Sequence, residues 1–593
     1  MSKPSSRKSP TPRPARAPRA SGASDAARGT GGVLRTLLEF GVSLALAVTL
    51  FRTFLAEGYV IQTGSMAPGL LGRHVRIECP SCGTRFATDE VAPEEWATCP
   101  NCQRGRLEVS RGTSCDGDQL LVFRSVFDHR EPERWEVLVF RNPDQPEQAF
   151  VKRVVGFPGE AVQIIRGDLY IDGKVVTKSL NRQRGMRIPV HDQDFQPPAE
   201  DADWKPRWLA DAAPGPGAGG WSLVGRDWHY RPPTGTDGPA GPPPAAEDES
   251  FKAGDTPKPG GAAPGGNAPP VDQRTARRVD WVRYRHWWRE GGRHATSAIV
   301  GTWPDKLDRP PTGFGNLEYD DATGKLVVRG VLSGEALERL TGPAVPDPFR
   351  AEILRLAEAS HLSPVRDVYS YNRRPDGGGA HVVRDLMLAC ELEPAERGVF
   401  SLYLSDTRQE LECQIDLDRR EVRLVDSRKG TVHRAGPLPT SVAAARKSLL
   451  EFSLWDGQAL IAIDGVEPLE PWRVFPGAFG PDNWRPARFG ATGGGFAVRH
   501  LRLFRDIHYT APTGARGGEL PVALADDEYF MLGDNSPVSR DSRAWVGGEK
   551  VTRALWLGKP FVVHLPTRRG QWALGRWTFD LRIPEFDRMR YIR

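Results

Sequence analysis

Apolar positions along the chain come in three textures. From Val33 to Leu55 they run almost without a break, interrupted by Arg35, Glu39 and Arg52, and such a run predicts one long helix. The apolar residues then gather in short stretches: Tyr59-Val60-Ile61, Gln119 to Phe123, Glu136 to Phe140, Ala149 to Val155, Val162 to Ile165 and Leu169 to Val176, the last with an Asp172-Gly173 hairpin turn. These read as strands of an all-β domain. Between about 185 and 290 the pattern fades, and Arg231 to Arg274 is dominated by Pro, Gly, Ala and Asp, the texture of a linker. Alternation resumes from about Asp367 to Tyr509, as at Leu411, Cys413, Ile415 and Leu417 and at Leu450, Phe452 and Leu454, with Asp456-Gly457 and Asp464-Gly465 turns. That segment predicts an antiparallel β-sandwich or jelly roll.

The plan is therefore mainly β. A basic tail occupies 1–32 and a helix 33–55. A first β domain covers 56–176, interrupted at 77–106 by a cysteine-rich insertion, and resumes over 517–593. Between its halves lie an irregular insertion at 177–366, with the Pro/Gly-rich linker at 231–274, and the sandwich at 367–510. With 593 residues the chain has room for about two to four domains.

Charge changes the picture only locally. The net +5 arises from 80 basic and 75 acidic side chains, a balance that gives no reason to expect nucleic acid as a partner. The first 35 residues, however, carry eight Lys or Arg against the single acid Asp25. A basic flank before an apolar run favours a transmembrane helix with its N-terminus in the cytoplasm. A cleaved secretory signal is the poorer reading, because the Ala45-Leu46-Ala47 triplet lies inside the run and nothing comparable follows Leu55. A buried globular helix is the other alternative, since only Phe40 to Phe51 is free of charge.

Candidate chemistry centres on Ser65 and Lys152. Ser65 follows the strand Tyr59-Val60-Ile61 and is not in a G-x-S-x-G elbow, and none of the 12 histidines sits in a recognisable triad motif. Lys152 lies inside an apolar strand, where desolvation would draw its pKa down from ~10.4 toward a base's working range. Taken singly, Ser65 reads as a turn serine and Lys152 as a snorkelling strand lysine.

Four blocks change that weighting: Thr63-Gly64-Ser65-Met66-Ala67-Pro68, Gly117-Asp118-Gln119-Leu120-Leu121-Val122, Lys152-Arg153-Val154-Val155-Gly156 with Pro158-Gly159, and Gly533-Asp534-Asn535 through Ser539, Asp541, Ser542 and Arg543. In order, sequence and spacing they resemble the bacterial type I signal peptidases, over roughly a third of the chain. The resemblance implies a membrane serine endopeptidase with Ser65 as nucleophile and Lys152 as general base. Ser539 would orient the lysine amine, Asp541 and Arg543 would pair to hold the block, and Thr63 with the Ser65 N–H would form the oxyanion hole. Ile61 and Val151 would line shallow pockets for small side chains. No catalytic cofactor is implied. The implied substrates are secretory preproteins, and the implied site is the bacterial cytoplasmic membrane, single-pass, with the catalytic domain on the exoplasmic side of the bilayer. Gln62, Gly69, Glu160 and Ser536 depart from the family pattern; none removes a proton-transfer group.

Cys79-Pro80-Ser81-Cys82 and Cys99-Pro100-Asn101-Cys102 have zinc-ribbon spacing, so Cys79, Cys82, Cys99 and Cys102 are candidate ligands of a structural zinc ion, with two disulfides as the exoplasmic rival. The sandwich resembles concanavalin-like jelly rolls in outline, and Trp455, Trp472 or Trp484 would suit sugar stacking if exposed, core packing if not. The rival overall reading is a catalytically degenerate, membrane-anchored envelope protein that binds through its sandwich. A self-cleaving Ser-Lys repressor protease would instead require a soluble DNA-binding N-terminus.

Overall fold

In the computed structural model the described residues are 26–50, 56–90, 96–201, 203–211, 219–233, 279–289, 291, 295–309, 316–332, 334–372, 381–474, 477–510, 520–545, 551–574 and 577–592. The protein is mainly β, and its sheets are antiparallel. A helix spans Ala26–Leu50, starting ahead of the expected Val33. Leu37, Phe40, Val42 and Leu44 on it are exposed. Among the described residues no helix is long and apolar enough to cross a membrane. Residues 51–55 of the expected span, and all of the basic tail before Ala26, lie outside the described residues.

The first domain is built on a seven-stranded sheet whose order interleaves distant parts of the chain: Ala56–Val60, Gln119–Phe123, Trp556–Val563, Val137–Arg141, Ala149–Gly156, Phe530–Leu532, with Arg590–Tyr591 on the side of Trp556–Val563. Apolar side chains cover it on both faces. Val137 and Val139 pack with Ile61, Met66 and Leu120, whereas Leu138 and Phe140 pack with Val154, Met531 and Trp545. This two-sided burial explains why Val137 to Phe140 is a continuous apolar run rather than an alternating one. A smaller sheet, Lys174–Val175, Asp168–Ile171, Ala161–Ile165 and Val522–Ala523, extends the domain.

The inserted region forms two further sheets that share one core. Ser448–Trp455, Leu386–Pro394 and Phe496–Arg505 centre an eight-stranded sheet, and Val399–Ser405, Glu410–Asp416 and Ala487–Thr492 centre a seven-stranded one. Leu388, Cys390 and Phe452 of the first meet Leu402, Cys413 and Phe489 of the second. Sheet structure also starts earlier than the sequence suggests: Ile188–Asp192, Gly220–Val224, Asp227–Arg231 and Asp280–Tyr284 pair into these sheets from within the stretch expected to be irregular. Their aromatic residues Trp221, Trp228, Tyr230 and Tyr284 supply core surface that offsets the weak periodicity. Of the expected linker only Arg231, Pro232 and Pro233 fall among the described residues. A separate body of three strands and the helices Gly334–Thr341 and Asp347–Ser360 packs around Leu326, Val328, Ile353 and Leu356.

The insertion closes on itself and packs on the first domain. Buried Lys178, at its start, sits between Asp456 and Asp506, at 2.7 Å from each, and Tyr369 and Tyr509 share a core with Val155, Leu169 and Phe530 of the first domain. Trp455 and Trp472 are buried, which fits the core-packing alternative, and Trp484 is half-buried against the cysteine-rich cluster.

Candidate active site

Ser65 stands in a tight loop that continues the strand Ala56–Val60. Ile61 N donates to Asp118 O at 3.0 Å, after which the chain turns back, with Ala67 N bonded to Gly64 O and Leu70 N to Met66 O. Met66 and Ala67 are buried beneath the loop. Asp118, fully buried, accepts a bond from Leu71 N at 3.0 Å and pairs with Arg588 and Arg590 at 2.8 and 2.9 Å. Arg590 also donates to Gly69 O at 2.6 Å, so the last residues of the chain tie down the loop that carries the serine.

Lys152 Nζ lies 2.6 Å from Ser65 Oγ and donates to it. The lysine is 3 % exposed, and desolvation lowers its pKa from 10.5 to about 8 against the opposing pull of the Asp541 and Asp534 charges. A buried amine poised this way can accept a hydroxyl proton near neutral pH. Two buried ion pairs frame it. Arg153 reaches Asp534 through two bonds of 2.7 and 2.8 Å. Arg543 reaches Asp541 through two bonds of 2.8 Å, with Ser536 accepting a further bond from Arg543 at 2.7 Å. Asp541 also accepts from Gly533 N at 2.9 Å, and its carboxyl is held below the usual range, burial being outweighed by Arg543. In pairs this buried, each charge needs the other.

Ser539 differs from expectation. Its buried hydroxyl forms no bond to the lysine amine and helps hold the Asp541 carboxyl below its usual range. Ser539 Oγ packs on Gly533, where an added Cβ would lie only 2.1 Å from it and 2.6 Å from Ser65 O.

The pair lies in a cleft of about 1190 Å³ that holds Ile61, Thr63 and Val151 in its walls. Thr63 is exposed there, Ile61 buried and Val151 half-buried. Two further wall residues, Tyr371 and Asn372, come from the insertion and were not foreseen. The only sequence signal near them is a short polar turn, Tyr369-Ser370-Tyr371-Asn372, which resembles nothing in the catalytic blocks.

Away from the cleft, the sulfur atoms of Cys79, Cys82, Cys99 and Cys102 all lie within 4.8 Å of one another. Two of the separations are 3.6 and 3.7 Å, far beyond an S–S bond of ~2.05 Å and close to the ~3.8 Å edge of a tetrahedron with 2.3 Å zinc–sulfur bonds. The four thiols are free, so the rival pairing into two disulfides is not what the fold contains. Each knuckle closes with a backbone turn, Gly83 N to Cys79 O and Gln103 N to Cys99 O. The donor set fits zinc, and four sulfur ligands would leave no open position for catalysis.

Residues 34–205, the segment that carries both Ser65 and Lys152, match the family model described as signal peptidase, peptidase S26. Among individual relatives, the chain is 33 % identical over 152 residues to a probable signal peptidase I-2 of Synechocystis, covering 24 % of this chain and 50 % of that protein. It is 28 % identical over 149 residues to signal peptidase I of Pseudomonas fluorescens, covering 24 % of this chain and 41 % of that protein. The chain thus spans about half or less of the length of the curated relatives it matches. Among solved structures, a carbohydrate binding module from Bacillus subtilis aligns with 20 % of this chain and 74 % of its own, at 11 % identity and a TM-score of 0.16, too slight a likeness to bear on function.

Proposed function

We propose that the protein is a type I signal peptidase, a serine endopeptidase that removes signal peptides from secretory preproteins. The observation that carries this reading is the 2.6 Å contact between Ser65 Oγ and the buried Lys152 amine inside the cleft. Neutral Lys152 takes the proton from Ser65 Oγ as that oxygen attacks the scissile carbonyl. The resulting oxyanion accepts bonds from the Ser65 backbone N–H and the Thr63 hydroxyl. Lys152 then gives its proton to the departing amine, leaving an acyl-enzyme on Ser65. Water, deprotonated by Lys152, attacks that ester and releases the signal peptide as a free carboxylate, the mature protein having left as the amine, and Lys152 returns the proton to Ser65 Oγ. Ile61 and Val151, small to medium apolar residues in the cleft wall, suit short side chains beside the cut. Ser539 fills the space beside Gly533 and Ser65, and Asp541 with Arg543 holds its loop.

The reading includes a bilayer as partner. The apolar side chains exposed along Ala26–Leu50 form a surface that lipid would cover, and the basic segment before them favours a cytoplasmic N-terminus with the catalytic domain outside. The four cysteines would hold a structural zinc ion. The test is cleavage of a preprotein with a small-residue site by full-length protein in detergent. Wild type is expected to cleave at that site, and folded Ser65→Ala and Lys152→Ala to lose activity by at least ~10³-fold. A wild type inactive on several preproteins, or a normally active Lys152→Ala, overturns the reading.

A further inference from the structure

Three residues of the inserted region touch the nucleophile loop and its support. Tyr369 donates its hydroxyl to Asp534 O at 2.9 Å. The buried Tyr371 ring lies so close over Gly64 that a Cβ there would sit 2.0 Å from the ring, and its hydroxyl donates to Arg73 O at 2.7 Å. Asn372 and Asn535 exchange a reciprocal pair of amide bonds, each 2.7 Å, at the edge of the cleft. Asn535 then binds the serine loop twice: its Nδ2 donates to Gly64 O at 2.9 Å and its backbone N–H to Ser65 O at 3.0 Å.

The geometry of that chain has a directional consequence. An amide side chain has two nearly isosteric orientations, and only one presents Nδ2 to the Gly64 carbonyl. The Gly64 carbonyl, which needs a donor, sets that orientation, and the reciprocal pair with Asn372 holds the Asn535 amide plane in place. Gly64 O and the Ser65 N–H belong to one planar trans peptide group, so whatever fixes the carbonyl fixes the direction of the N–H. We propose that Asn372 is a positioning residue, supplied by the insertion, that acts through Asn535 to aim the Ser65 N–H at the oxyanion. The insertion is then part of the active site rather than an appendage beside it. This rests on the peptidase reading above.

The test is steady-state cleavage of a preprotein with a small-residue site by full-length wild type, Asn372→Ala, Asn535→Ala and the double variant, in detergent. Misaiming one oxyanion donor acts on the transition state, so Asn372→Ala is expected to lower kcat about 10-fold with KM within about 2-fold. Asn535→Ala is expected to lower kcat further, and the double variant to be no slower than Asn535→Ala, since the two residues act in series. Asn372→Asp, which keeps the shape and the acceptor, guards against misfolding and is expected to give an intermediate kcat. A kcat within 2-fold of wild type for both Asn372 variants, an effect confined to KM, or multiplicative losses in the double variant overturns the proposal and leaves the peptidase reading standing. A wild type that does not cleave overturns both.

Discussion

If Lys152 is the base, its protonation state sets the rate below pH 8. Burial lowers the amine pKa from 10.5 to about 8. At ~1.36 kcal/mol per pH unit that depression is worth roughly 3 kcal/mol, all of it a penalty on the charged form. At pH 7 about one lysine in ten is then neutral, against about one in three thousand for an exposed amine, a gain of roughly 300-fold in active enzyme. The expected profile of kcat/KM, which reports the free enzyme, is a rise of about tenfold per pH unit from 5 to 7 and an inflection near 8. The assay is cleavage of a preprotein across pH 5 to 10, at fixed ionic strength, with folding checked at each pH. Cleavage that is flat from pH 6 to 9 would refute the assignment, because a base with this environment cannot be equally competent on both sides of its pKa. An inflection between 6 and 7 would point to a histidine, and the nearest candidates would then need to enter the cleft.

Three other outcomes can be checked on the purified protein. Because the depressed pKa of Lys152 penalises its charged form in the fold, stability rises with pH from about 8 to 10.5 and the penalty is present in full below 8; Lys152→Met is therefore expected to stabilise an inactive protein at pH 7 by about 1 to 3 kcal/mol in denaturant titration, and equal stability would count against burial as the cause. Cys99→Ser removes one of four convergent thiols, so atomic absorption is expected to fall from about one zinc per chain to near none, whereas a zinc-free wild type with four titratable thiols would sink the metal reading. Asp168 and Asp385 meet beside the Lys178 cluster; burial, with the neighbouring carboxylates, raises Asp168 from 3.8 to about 7 and Asp385 well above its ordinary value. Raised carboxyl pKa values give stability that is complete below about 3.8 and is lost as pH rises through the folded values, so Asp385→Asn should flatten the fall in melting temperature between pH 4 and 7, and an unchanged slope would show that the pair does not share a proton.

How much of this was legible depends on whether the determinant was local. Ser65 and Lys152 were, since each sits in a short block of adjacent residues whose order and spacing, taken together, resemble one family, and the block Gly533 to Arg543 carried the Asp541–Arg543 pair with it. The cysteine knuckles were legible for the same reason. Ser539 lies in the expected neighbourhood, beside Gly533 and Asp541, without a bond to the lysine amine. The strands at Trp221 and Trp228 were missed because one partner strand, Phe496–Arg505, lies more than 250 residues away and the breakers around them mask the alternation. Tyr371, Asn372 and Arg590 gave no signal: each acts through contacts to residues distant in sequence, and nothing in its own segment marks it.

That last group bears on why the cleft survives such a large interruption of the chain. The lysine strand and its supporting block are separated by more than 350 residues, yet Phe530–Leu532 pairs directly with Ala149–Gly156. Closing so long a loop costs only slowly more entropy as it lengthens, provided the loop itself is folded and its ends are held together. The insertion meets both conditions. Its core is its own, built from two sheets, and its ends are clamped by Lys178 between Asp456 and Asp506 and by Tyr369 on Asp534. A merely tolerated insertion would need no more than that. The additional contacts of Tyr371 on Gly64 and of Asn372 on Asn535 fall within the cleft itself, where they bear on the nucleophile loop and not on the closure of the chain. Loosening them should therefore cost turnover before it costs stability.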